Sequence, residues 1–199
     1  MQKLRTYGEA PFKIALIHGG PGAGGEMEPV ARRLVAHGGI LEPIQTAITL
    51  PGQIEELKEI LQKHADHPVK LVGYSWGAWL SALVVADDPR LVEKLILVSS
   101  GPFEHRYARR IQTTRLSRLS EAEGREYQNL VDDLTHSQAG SNPEALAQLG
   151  ALAAKSDAYD PIPNLLQQPQ SLLGEPDAFG QALQQALEMR KNGTLLERA

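Results

Sequence analysis

Gly73-Tyr74-Ser75-Trp76-Gly77 stands between a short apolar run, Pro68-Val69-Lys70-Leu71-Val72, and a longer one over residues 78–86. The short run has the length and β-branched content of a strand, and the long one the apolar density of a buried helix. A G-x-S-x-G pentapeptide alone says little in a chain with 18 glycines. Lodged in a strand-turn-helix setting, it says much more. Glycines on both sides let a strand and a helix cross closely around the serine, whose hydroxyl is then exposed on a very tight turn. The N–H of Trp76 opens the helix, where free donors and the helix dipole favour negative charge. A serine that merely capped the helix would need neither glycine.

Upstream, Phe12–Ile17 is a second apolar run, ending at His18-Gly19-Gly20-Pro21-Gly22, a cluster that reads as a turn. Met27, Val30, Ala31, Leu34 and Val35 recur at helical spacing over residues 25–37, and Gly38-Gly39 stop that helix. Residues 39–48 read as a looser strand. Pro51-Gly52 then opens a helix with Ile54, Leu57, Ile60 and Leu61 on one face and Glu55, Glu56, Lys58 and Glu59 on the other. Downstream come a helix over residues 76–87 and a strand over residues 94–99. Such alternation predicts an α/β fold, a mostly parallel sheet flanked by helices, with ligand loops at the carboxyl ends of the strands.

After Pro102 no β-branched run recurs. Ser120-Glu121-Ala122-Glu123 reads as a capping box, Asn142-Pro143-Glu144 as a helix start, and residues 177–190 as a further helix. The segment 156–174 reads as a Pro-containing apolar loop, and residues 192–199 as the lead-in to another strand. The expected division is a core over residues 1–102 and a helical cap region over 103–199.

Composition narrows the function. The 199 residues carry 20 Lys plus Arg against 24 Asp plus Glu, a net charge of -4, which offers no electrostatic footprint for nucleic acid. Mean hydropathy is -0.28, no stretch has the length of a membrane span, and residues 1–13 lack the apolar core of a signal peptide. A cytoplasmic protein that engages no membrane is expected. The absence of cysteine removes thiolate chemistry, so covalent catalysis must use another nucleophile. Six arginines over residues 106–125 read as a solvated helix face.

The glycine-rich loop at residues 18–22 matches neither G-x-x-x-x-G-K-[ST] nor G-x-G-x-x-G, which disfavours a nucleotide and favours a loop that lends an N–H to an oxyanion. His18, beside the turn, suits a hydrogen bond that braces it. Together the two motifs, their order and their spacing resemble the α/β-hydrolase family, and His18-Gly19-Gly20-Pro21-Gly22 is similar to its proline iminopeptidase-like branch. The resemblance implies a serine hydrolase, esterase- or aminopeptidase-like. It would cleave an ester, amide or short peptide through an acyl-serine, without cofactor or metal.

Carried over by position, Ser75 is the nucleophile, Gly20 and Trp76 furnish the oxyanion hole, and His18, Gly19 and Tyr74 border the substrate pocket. Residues 103–199 resemble the family's cap domain in texture. Members place the triad acid and histidine after strands that follow the cap, and this chain lacks those strands. It is therefore expected to be C-terminally truncated, weakly active or inactive by itself, and prone to self-association through the unfinished sheet edge. His105 and His136 lie in helical text, Asp157 and Asp160 in the cap loop, and Asp87 and Asp88 at a helix end where capping suits them. The alternative reading is a non-catalytic binding or scaffold module that keeps the fold's pocket.

Overall fold

The computed structural model describes residues 3–20, 23–136, 143–159 and 176–199. Five strands, β1 (Leu4–Tyr7), β2 (Phe12–Ile17), β3 (Gly39–Pro43), β4 (Val69–Tyr74) and β5 (Val92–Val98), form one sheet in the order β1-β3-β2-β4-β5. Only β1 runs antiparallel to its neighbour. β1 has no counterpart in the sequence reading, because four residues with Arg5 and Thr6 at their centre carry too little apolar alternation to signal a strand.

Period-two alternation sends successive side chains of each strand to opposite faces. Leu16 and Ile40 join Tyr7, Met27 and Ala31 beneath α1 (Glu28–Leu34). Ala15, Ile17, Leu41 and Leu71 face the other way, against α2 (Leu50–His64) and α3 (Trp76–Asp87). In α3 every residue from Trp76 to Val84 is buried, which explains why that helix shows no polar stripe. The strand expected over 39–48 stops at Pro43. Beyond it Glu56 takes over the backbone, accepting the N–H groups of Thr46 and Ala47 at 2.7 and 3.1 Å.

The chain divides into two compact units, residues 1–104 with 170–199, and residues 105–169. This departs from the expected boundary. α7 (Pro176–Asn192) and α8 (Thr194–Arg198) belong to the first unit, where Ala182, Ala186 and Leu195 are fully buried in the core shared with α2 and α3. The tail read as a strand lead-in is thus helical, with Gly193 in the left-handed region turning the chain between α7 and α8. The second unit holds α4 (His105–Arg118), α5 (Glu121–His136) and α6 (Pro143–Asp157), with α4 and α5 each packed on α6. Within it Ser120 and Glu123 form the expected capping box. Three of the six arginines there are bonded to Asp157, the Ser156 carbonyl and Glu121, rather than simply solvated. Asn142, Asp160 and most of the Pro-containing loop lie outside the described residues. Among the described residues no helix is long and apolar enough to cross a membrane.

Candidate active site

β4 delivers Ser75 into a sharp turn with φ 52° and ψ -110°. This is a conformation that L-residues avoid and that persists only where the surroundings enforce it. Three features enforce it. The Ser75 N–H donates to the Val98 carbonyl at 3.0 Å, extending the β4–β5 ladder past the end of β4. A Cβ added to Gly73 would lie 2.3 Å from the Gly77 carbonyl oxygen, and one added to Gly77 would lie 2.4 and 2.6 Å from the carbonyl oxygens of Ile17 and His18. Both flanking glycines are therefore demanded by close backbone crossings, one between β4 and α3 and one between α3 and the end of β2. Ser99, at the end of β5, is the other non-glycine residue with positive φ among the described residues. Strain thus gathers at the carboxyl ends of adjacent strands.

Ser75 is half-buried, its side chain makes no capping bond, and its hydroxyl has no hydrogen-bond partner among the described residues. Trp76 is buried, and its indole N–H donates to Gln53 Oε1 of α2 at 3.0 Å. Its backbone N–H, at the first position of α3, precedes the helix's own hydrogen-bond ladder and stays available. Gln53 is missed by a sequence reading, since nothing in an amphipathic helix marks one glutamine as an indole acceptor.

β2 delivers His18, Gly19 and Gly20. His18 is fully buried, its Nδ1 lies 2.9 Å from the Gly19 carbonyl oxygen, and its Nε2 has no partner among the described residues. A carbonyl only accepts, so Nδ1 carries the proton. Burial pushes the His18 pKa below its ordinary value against the opposing pull of the Gly19 and Gly20 carbonyls, and the ring is neutral at pH 7. That is the loop brace expected of it, and with Gly19 also buried neither residue presents a surface to solvent. Gly20 and Tyr74 stay partly exposed, and Gly20 takes φ 48°, a left-handed conformation natural to glycine. Pro21 and Gly22 lie outside the described residues.

The remaining acid and histidine candidates are otherwise engaged or unplaced. Asp88 accepts from the Arg90 backbone and guanidinium, Asp87 pairs with Lys58, and Asp157 takes two bonds from Arg115. His105 opens α4 in the second unit, and the side chain of His136 is outside the described residues. A 460 Å³ cavity lies elsewhere, lined by Arg5, Thr6, Tyr7, Gly8, Arg32 and Val35. Its two arginines are already paired with Glu28.

With this geometry in place, the chain belongs to the α/β-hydrolase fold family, whose model matches residues 20–173. Among solved structures, VinJ superposes with a TM-score of 0.59 at 17% identity, over 81% of this chain and 60% of its own. E-2-(acetamidomethylene)succinate hydrolase gives 0.54 at 20% identity, over 92% of this chain and 68% of its own. The thioesterase domain from the curacin biosynthetic pathway gives 0.50 at 21%, over 94% and 72%. At such identities the likeness speaks for the fold, and the chain spans about 60% of the length of VinJ. No curated protein matches it.

Proposed function

We propose that this chain carries the nucleophile and oxyanion hole of a serine hydrolase acting on an ester or amide of a small substrate. The observation that carries the reading is Ser75 itself, a serine held at φ 52° at a strand end ahead of a buried helix, its hydroxyl without a partner among the described residues. Ser75 Oγ attacks the substrate carbonyl and its proton passes to a base. The N–H groups of Trp76 and Gly20 then donate to the oxygen that gains the negative charge, and Tyr74 borders the pocket. The alkoxide or amine leaves, and water releases the acyl group from the serine. His18-Gly19-Gly20-Pro21-Gly22 favours the proline iminopeptidase-like branch and hence short peptides or aminoacyl amides.

One observation favours the alternative of a binding module: no histidine or carboxylate is bonded to Ser75 among the described residues. Without base and acid, only the part of the acceleration due to the oxyanion hole and binding survives, ~10³-fold over water. The test is incubation of the 199-residue chain with p-nitrophenyl acetate and with a fluorophosphonate. Slow turnover with Ser75 as the modified residue, abolished in Ser75→Ala, is expected. An unmodified Ser75 leaves the binding module as the reading.

A further inference from the structure

The loop between β2 and α1 carries a carboxylate that the proposed reaction does not use. Glu26 reaches back seven residues, and its Oε2 accepts the Gly19 N–H at 2.8 Å. A Cβ built on Gly19 would lie 2.8 Å from that oxygen and 3.0 Å from the Tyr74 ring. Gly19 is thus clasped between the Glu26 carboxylate and the aromatic side chain that precedes Ser75.

Both peptide units around Gly19 are fixed. The one joining His18 to Gly19 is held by Glu26 at its N–H, and its carbonyl lies so close to α3 that a Cβ on Gly77 would come within 2.6 Å of it. The one joining Gly19 to Gly20 accepts the His18 Nδ1–H at its carbonyl, and its N–H is that of Gly20. No partner for the Gly20 N–H is found among the described residues. A peptide polarised at its carbonyl is a stronger donor at its N–H.

We propose that Glu26 is a positioning residue of the oxyanion loop: by holding the peptide before Gly19 it sets the plane of the next one and the direction of the Gly20 N–H. This rests on the reading of Ser75 as a nucleophile. The charged group that acts on Glu26 is Glu42 from β3, and the Tyr74 ring from β4 closes on the same glycine. Burial pushes the Glu26 carboxyl above its ordinary value, opposed by the Gly19 N–H and reinforced by the like charge of Glu42. An ionised carboxylate is the stronger acceptor, so the clasp tightens above that raised pKa and loosens as acid neutralises the group.

Two measurements test this on the 199-residue chain. In the ¹⁵N-labelled protein the Gly19 amide proton is expected to titrate with a midpoint above the ordinary carboxylate range, with the Gly20 amide following. Both become flat in Glu26→Gln. A Gly19 amide that does not titrate, or that titrates identically in the variant, overturns the clasp whether or not the chain is active.

The second readout is the rate of Ser75 phosphonylation by a fluorophosphonate, in which Oγ displaces fluoride, followed by mass spectrometry. At pH 7.5 a loss of about 10-fold is expected in Glu26→Ala and a smaller one in Glu26→Gln, with the acid-side fall in rate absent from both. Equal rates in wild type and both variants, each shown folded by its amide spectrum, overturn the positioning role. If wild-type Ser75 never reacts, the hydrolase reading fails and takes the catalytic consequence with it, while the Gly19 titration still decides the contact.

Discussion

Ser75 and its two glycines are a single device, because the serine's backbone is tenable only where strand and helix approach more closely than a Cβ allows. Gly77→Ala places a methyl 2.4 Å from the Ile17 carbonyl oxygen and is expected to cost ~2–3 kcal/mol, read as a lowered urea midpoint at unchanged m-value. His18 adds a pH dependence. Its folded-state pKa lies below its unfolded value near 6.5, so the unfolded chain binds the extra proton in that interval. Stability is full above pH 6.5 and falls as pH drops below it. Thermal unfolding at pH 8, 6.5 and 5 checks this, and the downward step should vanish in a folded His18→Asn variant. Ser75 and its glycines were legible because the pattern is five consecutive residues. Glu26 and the fully buried Glu42 were not, since a carboxylate's partner depends on how a loop doubles back, and no local spacing encodes it.

At the scale of elements, Glu56 shows how a helix disciplines the connection before it. Its carboxylate accepts from the Thr46 hydroxyl as well as two N–H groups, and pairs with Lys3 at 2.8 Å. Glu56→Ala strands those donors, and a loss of ~1–3 kcal/mol is expected in chemical denaturation. In the second unit, Glu123 is held down to about 2, chiefly by Lys155 and then by the Ser120 N–H and hydroxyl. A depressed carboxylate stabilises above its unfolded value, 4.5, and loses that contribution as pH falls toward 2. Helical circular dichroism of wild type against Glu123→Gln between pH 5 and pH 2 should converge at the acid end. The capping box was readable because it is local, whereas the helical tail was not. Residues 194–198 acquire their helix by burying Leu195 in a core contributed by distant segments.

Across the whole molecule, the mostly parallel sense of the sheet followed from the strand-helix alternation, but the place of the antiparallel β1 at its edge and the partition of the chain did not. Whether a helix joins one unit or another depends on which apolar faces meet, and α7 carries Gln185 close enough to bond the Leu50 N–H at 2.8 Å. β5 pairs with β4 on one side, and Ile96, Leu97 and Val98 are each about two-fifths exposed. A strand apolar toward both faces is the pattern of a sheet interior, which keeps self-association through this edge as an expectation. Sedimentation velocity between about 1 and 100 μM should show mass rising with concentration, suppressed in Leu97→Lys; a constant monomer mass counts against it. A fold of this size stands only ~5–15 kcal/mol above its unfolded state, and the backbone at residue 75 withholds ~1–3 kcal/mol of that. Ser75→Gly should therefore raise the melting temperature while removing the hydroxyl. A serine at that position thus carries a conformational cost that a glycine would not, and the fold holds it there by spending stability gained elsewhere.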